Sequence, residues 1–189
     1  MSKALVTGGA GFIGSHLTRA LVEAGHEVRV LDNLSTGKWQ NLATIRARAR
    51  LIEGDITDAG VVAEAVRGCD WVFHQAALPS VPRSIEDPLL VDRTNVFGTL
   101  NVLWAAKHAR VKRVVYAASS SAYGDTPTLP KVETMAPAPK SPYAVSKLAG
   151  EHLAQAYAEA HGLEVVIVRP FNVYGPRQSG ESAVQKFVA

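Results

Sequence analysis

The chain has 189 residues, 47% hydrophobic and 20% charged, with a formal net charge of +3 and an isoelectric point near 9.1; this suits one globular domain with a sizeable core and excludes a disordered or fibrous chain. The basic residues are scattered except for the run RARAR at 46–50, which reads as a solvated helix end rather than the stripe of a nucleic-acid module. The lone Cys69 excludes an internal disulfide, no Cys/His cluster has metal-ligand spacing, and neither a signal-peptide core nor a membrane-length apolar run is present, so the expectation is a cytoplasmic chain without metal or membrane contact.

Short β-branched runs alternate with longer helical patterns. A strand KALVT (3–7) precedes a helix from about Phe12 to Ala24 and a second strand, EVRVLD (27–32). Then come RLIEGD (50–55), a helix ended by Gly68, DWVFHQAA (70–77), and a long helix ending near His108. VKRVVYAASS (111–120), a helix from about Ser141 and LEVVIVRP (163–170) complete the series. The strands read as continuous apolar runs, as expected where helices cover both faces of a parallel sheet, so the predicted class is a Rossmann-like, doubly wound α/β fold. Residues 122–140 hold four of the ten prolines, and a connection this long without secondary structure predicts a functional loop or lid. The segment from Glu181 to Ala189 reads as the opening of a further helix.

VTGGAGFIGSHL follows the first strand and opens the first helix, the context a dinucleotide fingerprint requires. Gly9, Gly11 and Gly14 satisfy one glycine register, and Gly8, Gly11 and Gly14 a wider one. The glycines let the backbone turn tightly against a diphosphate, whose charge the amides of a helix start, where Phe12 and Ile13 lie, can hold. A glycine-rich turn without ligand is the lesser alternative for the motif taken alone. Asp32 argues for the ligand: it ends the second strand 18 residues past Gly14, where an acid accepts ribose hydroxyls. Asn33 and Leu34 follow instead of a basic pair, which favours NAD over NADP. Asp55 and Ile56, after the third strand, fall where the adenine edge lies in such a fold.

Tyr143 and Lys147 stand one turn apart behind Pro142, on one face of the predicted helix. A neighbouring ammonium favours the phenolate, and a tyrosine whose pKa is lowered toward neutrality serves as a general base. Ser119, Ser120 and Ser121 follow the fifth strand at the carboxyl edge of the sheet. Ser119 is the better candidate to share a proton with Tyr143. His74 reads as a packed or hydrogen-bonded strand-end residue, and Tyr123 and Tyr174 as loop packing.

Taken together, TGGAGFIG, VLDNLSTG, GDITD, HQAALPSVPRSIEDP, NVFGTLNVL, YAASSSAYGD, SPYAVSK and RPFNVYGPRQ resemble, in order, the extended short-chain dehydrogenase/reductase family, and most of all its UDP-hexose 4-epimerases. The resemblance covers essentially the whole chain. It implies that Tyr143 is the base, that Lys147 holds the nicotinamide ribose and lowers the tyrosine pKa, and that Ser119 is the catalytic serine. It places Ser80, Val81, Arg83, Ser119, Ser120 and Asn172 beside the sugar nucleotide and Asn95 where it orders the helix and loop next to the site. It further implies a homodimer paired through the helices of 88–108 and 142–160.

Related 4,6-dehydratases carry an Asp-Glu pair where this chain has Ser120 and Ser121, and serines cannot supply the carboxylic acid and carboxylate that dehydration needs. A decarboxylase or reductase is compatible with the residues present, as is an NAD-binding domain without turnover. Residues 1–180 are expected to form the NAD-binding domain and 181–189 the start of a C-terminal substrate domain that is mostly absent.

Overall fold

The computed structural model describes residues 1–178, so the helix expected from Glu181 and the boundary at residue 180 lie outside the described residues. Strands β1 (Lys3–Thr7), β2 (Glu27–Asp32), β3 (Ala49–Glu53), β4 (Trp71–His74), β5 (Arg113–Ala117) and β6 (Val165–Val168) pair in parallel in the order β3-β2-β1-β4-β5-β6. This is the doubly wound arrangement, and its order reverses between β1 and β4, which opens a crevice at the carboxyl ends of those strands. The strands at 70–77, 111–120 and 163–170 are shorter than their apolar runs, because the chain leaves the ladder as soon as it reaches that edge.

The sheet separates two cores. Leu5, Leu31, Val72 and Val114 point to one face, where α2 (Ala59–Val66), α5 (Gly98–His108) and α6 (Pro142–His161) pack, while Val6, Val28 and Val30 point to the other, against α1 (Phe12–Glu23) and a 3₁₀ segment at Trp39–Arg48. Helices therefore cover both faces, and among the described residues the second face is covered toward β1 and β2. Val166 and Val168 of β6 are 41% and 46% exposed there, so this edge strand, apolar throughout as expected, alternates in burial. Of the basic run, Arg46 and Arg48 are exposed at the end of the 3₁₀ segment, as a solvated helix end implies, and Arg50, also exposed, lies on β3.

Residues 81–108 form more than one helix. A short α3 (Val81–Glu86) ends at Asp87, whose extended backbone (φ −137°) breaks the helix and whose side chain then caps α4 (Pro88–Asp92) by accepting the Leu90 amide at 3.0 Å. Pro88 stands at the first position of α4, the one place in a helix where its missing N–H costs nothing. A wide π turn, Arg93–Phe97, joins α4 to α5. Such turns disrupt regular helix geometry and are frequent near functional sites.

Ser141 caps α6 by accepting the Ala144 amide at 3.1 Å, with Pro142 at the first helical position and Gly162, at φ +65°, closing the other end. This 20-residue helix crosses β5 very closely. A Cβ on Gly150 would stand 2.1 Å from the Tyr116 hydroxyl, which donates to the Lys147 carbonyl at 3.2 Å. Gly150→Ala should therefore destabilise the fold by roughly 1–3 kcal/mol through overpacking, read as a lower urea midpoint at unchanged slope. A midpoint equal to that of the unsubstituted chain would show that α6 can move off the sheet freely.

Candidate active site

The glycine loop leaves β1 at Gly8, whose φ of +66° suits glycine and whose absent Cβ would lie 2.7 Å from the Ala76 backbone. At Gly14 a Cβ would come within 2.1 Å of the Gly8 carbonyl oxygen. The loop is thus folded so tightly against itself and the β4 exit that neither position accepts a side chain. Ser80, Asp87, Asp58 and Ser141 cap the starts of α3, α4, α2 and α6, whereas α1, beginning after Gly11, has no side-chain cap. Its first amides, among them those of Phe12 and Ile13, remain available to an anion at the positive end of the helix dipole.

Asp32, 8% exposed, accepts the Ala10 amide at 2.9 Å with one carboxylate oxygen and the Leu34 amide at 2.9 Å with the other. These bonds aim the carboxylate and leave each oxygen a lone pair for a hydroxyl donor. Asn33, exposed, donates to Asp55 at 2.7 Å, and Asp55 also accepts the Thr57 amide at 2.8 Å. Those hydrogen bonds overcome desolvation and hold the Asp55 carboxyl below its ordinary range. The Ile56 side chain is buried against Gly98 and its carbonyl accepts from Asn101, so its side chain fills the core between β3 and α5. The cradle, the uncapped helix start and the acid at the end of β2 fit a dinucleotide.

Strand register sets Thr7, His74 and Tyr116 side by side across β1, β4 and β5. Thr99 donates its hydroxyl proton to the Asn95 carbonyl at 2.6 Å, so toward His74 Nε2, at 2.9 Å, it accepts. Nε2 therefore carries the hydrogen, and Thr7 donates to Nδ1 at 2.7 Å. Burial, aided by the nearby Lys147 charge, pushes the His74 pKa down to about 3. As expected, His74 is a hydrogen-bonded packing residue. Asn95, in the π turn, accepts the Leu78 amide at 2.8 Å and donates to Ser146 at 3.0 Å, while Ser146 donates to the Tyr143 carbonyl at 2.8 Å. One side chain thus ties the loop after β4 to the turn of α6 that carries Tyr143.

Ser119 ends the β5 exit and accepts both the Ser121 hydroxyl, at 2.7 Å, and the Ser121 amide, at 3.2 Å. Its own proton is left for Tyr143. Burial pushes the Tyr143 phenol up from its ordinary value, and the Ser119 hydroxyl works against the rise. The expected depression by Lys147 is not among the effects acting on Tyr143. The Lys147 ammonium, 4% exposed, lies 4.7 Å from the centre of the Tyr116 ring, and burial lowers its pKa to about 8 against an opposing pull from Glu151.

The residues expected to meet the sugar nucleotide are more dispersed. The Ser80 hydroxyl accepts the Arg83 amide as the cap of α3, Val81, Arg83 and Asn172 are exposed, and Ser120 is half-buried beside the Pro170 carbonyl that its amide reaches at 3.3 Å. Tyr123 is buried, as loop packing implies, but Tyr174 is 75% exposed and packs little. The proline-rich loop has neither helix nor strand from 125 to 140. Its ends are joined by the Ala138 amide to the Ala122 carbonyl at 2.8 Å, and Lys131 binds the Thr126 hydroxyl at 2.6 Å and the Thr128 carbonyl at 2.9 Å. Among the described residues no cluster suits a metal, and no helix is long and apolar enough to cross a membrane.

The family model described as the NAD dependent epimerase/dehydratase family matches residues 4–189. The chain belongs to that family. It is 42% identical over 190 residues to a UDP-glucose 4-epimerase of Mycolicibacterium smegmatis, covering 96% of this chain and 60% of that protein. It is also 41% identical to a dTDP-glucose 4,6-dehydratase of Streptomyces niveus, covering 97% of this chain and 57% of that one. Among solved structures, UDP-glucose 4-epimerase of Thermus thermophilus, in complex with NAD, superposes with a TM-score of 0.90 at 43% identity, covering 97% of this chain and 59% of that chain. The chain thus spans about three-fifths of the length of these relatives. The family places the glycine loop and the sheet edge in a common context, while the two activities named among its relatives leave the reaction to be argued from the site.

Two features of the site escaped sequence reasoning. Glu151, 1% exposed, forms a two-pronged ion pair with Arg169, with Nε donating at 2.9 and 3.1 Å and Nη2 at 2.6 Å. A charged residue four positions after Lys147, on the apolar face of α6, was the available signal. The second is the tautomer-setting role of Thr99, which no local pattern reveals.

The His74 environment makes a pH prediction. Its folded-state pKa of about 3 lies below the ordinary 6.5, so between these values the unfolded chain binds more protons and stability rises with pH. His74 should contribute a slope approaching ~1.4 kcal/mol per pH unit in that window. Urea melts from pH 4 to 6.5 should show His74→Gln with a shallower dependence than the unsubstituted chain. Parallel curves would mean that the imidazole is protonated in the fold.

Proposed function

We propose that this chain carries the NAD-binding and proton-transfer half of a UDP-hexose 4-epimerase. The reading rests chiefly on the convergence, at one sheet edge, of the cradle of Gly8, Gly11 and Gly14 with Asp32, Ser119, Tyr143 and Lys147. The high identity to UDP-glucose 4-epimerases supports it. Residues 1–180 are the NAD-binding domain, in a cytoplasmic enzyme.

In this reading the amides of Phe12, Ile13 and Gly14 hold the diphosphate, Asp32 and Asn33 the adenine-side ribose, Asp55 and the Ile56 backbone flank the adenine, and Tyr143 and Lys147 hold the nicotinamide ribose. NAD, when bound, accepts a hydride from carbon 4 of the sugar and returns it to the opposite face. Tyr143 takes the proton of the 4-hydroxyl and later gives it back to the 4-oxygen. Ser119, with its proton left free by the two bonds it accepts from Ser121, steadies that oxygen and the phenolate. Lys147, one turn from Tyr143, offsets the cost of a buried phenolate once its ammonium turns from the Tyr116 ring toward the ribose. Ser80, Val81, Arg83, Ser120 and Asn172 line the approach of the UDP-sugar.

Ser120 and Ser121 favour epimerisation over the dehydration named for the Streptomyces niveus relative. Ser121 spends its hydroxyl on Ser119 and has no carboxyl group to protonate a leaving hydroxyl. A decarboxylase or reductase of the same superfamily is the nearest enzymatic alternative, and it would release carbon dioxide or consume NADH stoichiometrically. An NAD-binding domain without turnover is the non-enzymatic one, and Arg83 and Asn172 are exposed.

Homodimer formation through α4, α5 and α6 accounts for Leu89, Phe97, Trp104 and Val145, which are 82%, 47%, 52% and 51% exposed on those helices and the π turn between them. Trp104→Glu should convert a dimer to a monomer in sedimentation velocity; a monomeric unsubstituted chain would refute the pairing.

Chromatography after incubation with NAD and, separately, UDP-glucose, UDP-N-acetylglucosamine and UDP-glucuronate should reveal a carbon-4 epimer of one of them. Tyr143→Phe should abolish it, a loss of at least ~10³-fold, with NAD affinity nearly retained, and Asp32→Ala should weaken NAD by about tenfold or more. NAD binding without any epimer would leave the binding-domain reading, and turnover by Tyr143→Phe would remove the base from Tyr143.

A further inference from the structure

Among the described residues, the Glu151–Arg169 pair is the buried charged group that the proposed reaction leaves unused. Glu151 lies four residues after Lys147 on the buried face of α6, so the two side chains are neighbours one turn apart. Arg169, just beyond β6, closes over Glu151 with three hydrogen bonds, and its guanidinium stacks 4.7 Å from the centre of the Tyr123 ring, itself parallel to Phe171. A carboxylate held this firmly cannot swing toward solvent. Buried ion pairs seldom stabilise a fold more than apolar residues of equal volume, so this one calls for another use.

We infer that Glu151, clamped by Arg169, is a positioning residue whose charge keeps Lys147 cationic behind Tyr143. This deepens the proposed function and rests on its assignment of Lys147 beside the base. The groups facing Lys147 are neutral His74 on β4, Tyr116 on β5, and Tyr143 and Glu151 on α6, with Arg169 and Tyr123 behind Glu151. Of these, Glu151 is the sole anion. The Tyr116 ring face attracts the ammonium as well, but more weakly than a full charge in a dry site. Arg169 plays two opposing parts: it orients Glu151, and its own positive charge limits how strongly Glu151 acts. The pair therefore sets Lys147 at a midpoint close to physiological pH, where burial alone would take it lower.

The test is a lysine ¹³Cε NMR titration of the 189-residue chain without nucleotide or sugar, with the Lys147 resonance assigned by its loss in Lys147→Met. The unsubstituted chain should titrate at about 8. Glu151→Gln should lower the Lys147 midpoint by about one pH unit or more, and Glu151→Asp, which keeps the charge, should restore most of it. Arg169→Met, which removes the competing cation, should raise it. Because Glu151→Gln leaves Arg169 buried without its partner, the double variant Glu151→Gln/Arg169→Met supplies a folded, uncharged reference, checked by circular dichroism, and should also titrate below the unsubstituted chain. Opposite shifts in the two single variants, or the lowered midpoint in the double variant, bear the inference out. An unmoved Lys147 midpoint in folded Glu151→Gln or in the double variant overturns it and leaves the pair a packing feature. The readout needs no turnover, so an inactive chain whose Lys147 midpoint moves would refute the epimerase reading and leave this inference standing.

Discussion

A lysine ammonium held out of water against the Tyr116 ring is the arrangement around which this site is built. Burying such a charge is costly, and the structure offsets the cost with an aromatic face, with Glu151 one turn along α6, and with a neutral imidazole at His74 in place of a second cation. Each of these depends on the close crossing of α6 over β5, which Gly150 allows by leaving room for the Tyr116 hydroxyl. With any side chain at that position the helix is forced outward, and the Lys147 ammonium loses the ring that shelters it.

The same crossing transmits order to the rest of the edge. From Thr7, next to the glycine loop, hydrogen bonds run through His74 and Thr99 to Asn95, and from Asn95 through Ser146 to the backbone of Tyr143. The phosphate loop and the proposed base therefore sit on one fully satisfied polar network. Such a network is rigid where every member is paired, because breaking one bond strands its buried partner. The π turn that carries Asn95 is the irregularity that lets one residue reach both the loop after β4 and α6. Rigidity on this side contrasts with the exposed Val81, Arg83 and Asn172 across the crevice, where the proposed sugar nucleotide enters.

Much of this was legible before any fold was known, for reasons of range. The glycine loop, the acid ending β2, the Ser-Pro start of α6 and the four-residue step from Tyr143 to Lys147 each express a short-range rule, and each sits where that rule puts it. The family resemblance read from the ordered motifs agrees with the family match. What misled was local pattern taken too far: Tyr174 is too exposed to pack, and apolar runs outlast their strands. The 3₁₀ segment at Trp39–Arg48 buries only Leu42 and Ile45, too few apolar positions to mark a helix in the sequence.

By itself, then, the sequence determined the fold class, the nucleotide cradle and the pairing of a phenol with an ammonium on one helix, since all three rest on backbone conformation and side-chain spacing within a few residues. Only the tertiary structure decided the electrostatic state of those groups. Whether Lys147 is buried, whether His74 is neutral and on which nitrogen it carries its hydrogen, and whether Glu151 faces a partner are settled by Thr7, Thr99, Tyr116 and Arg169. These reach the edge from β1, α5, β5 and the end of β6, and a charge responds to what surrounds it in space whatever its distance along the chain.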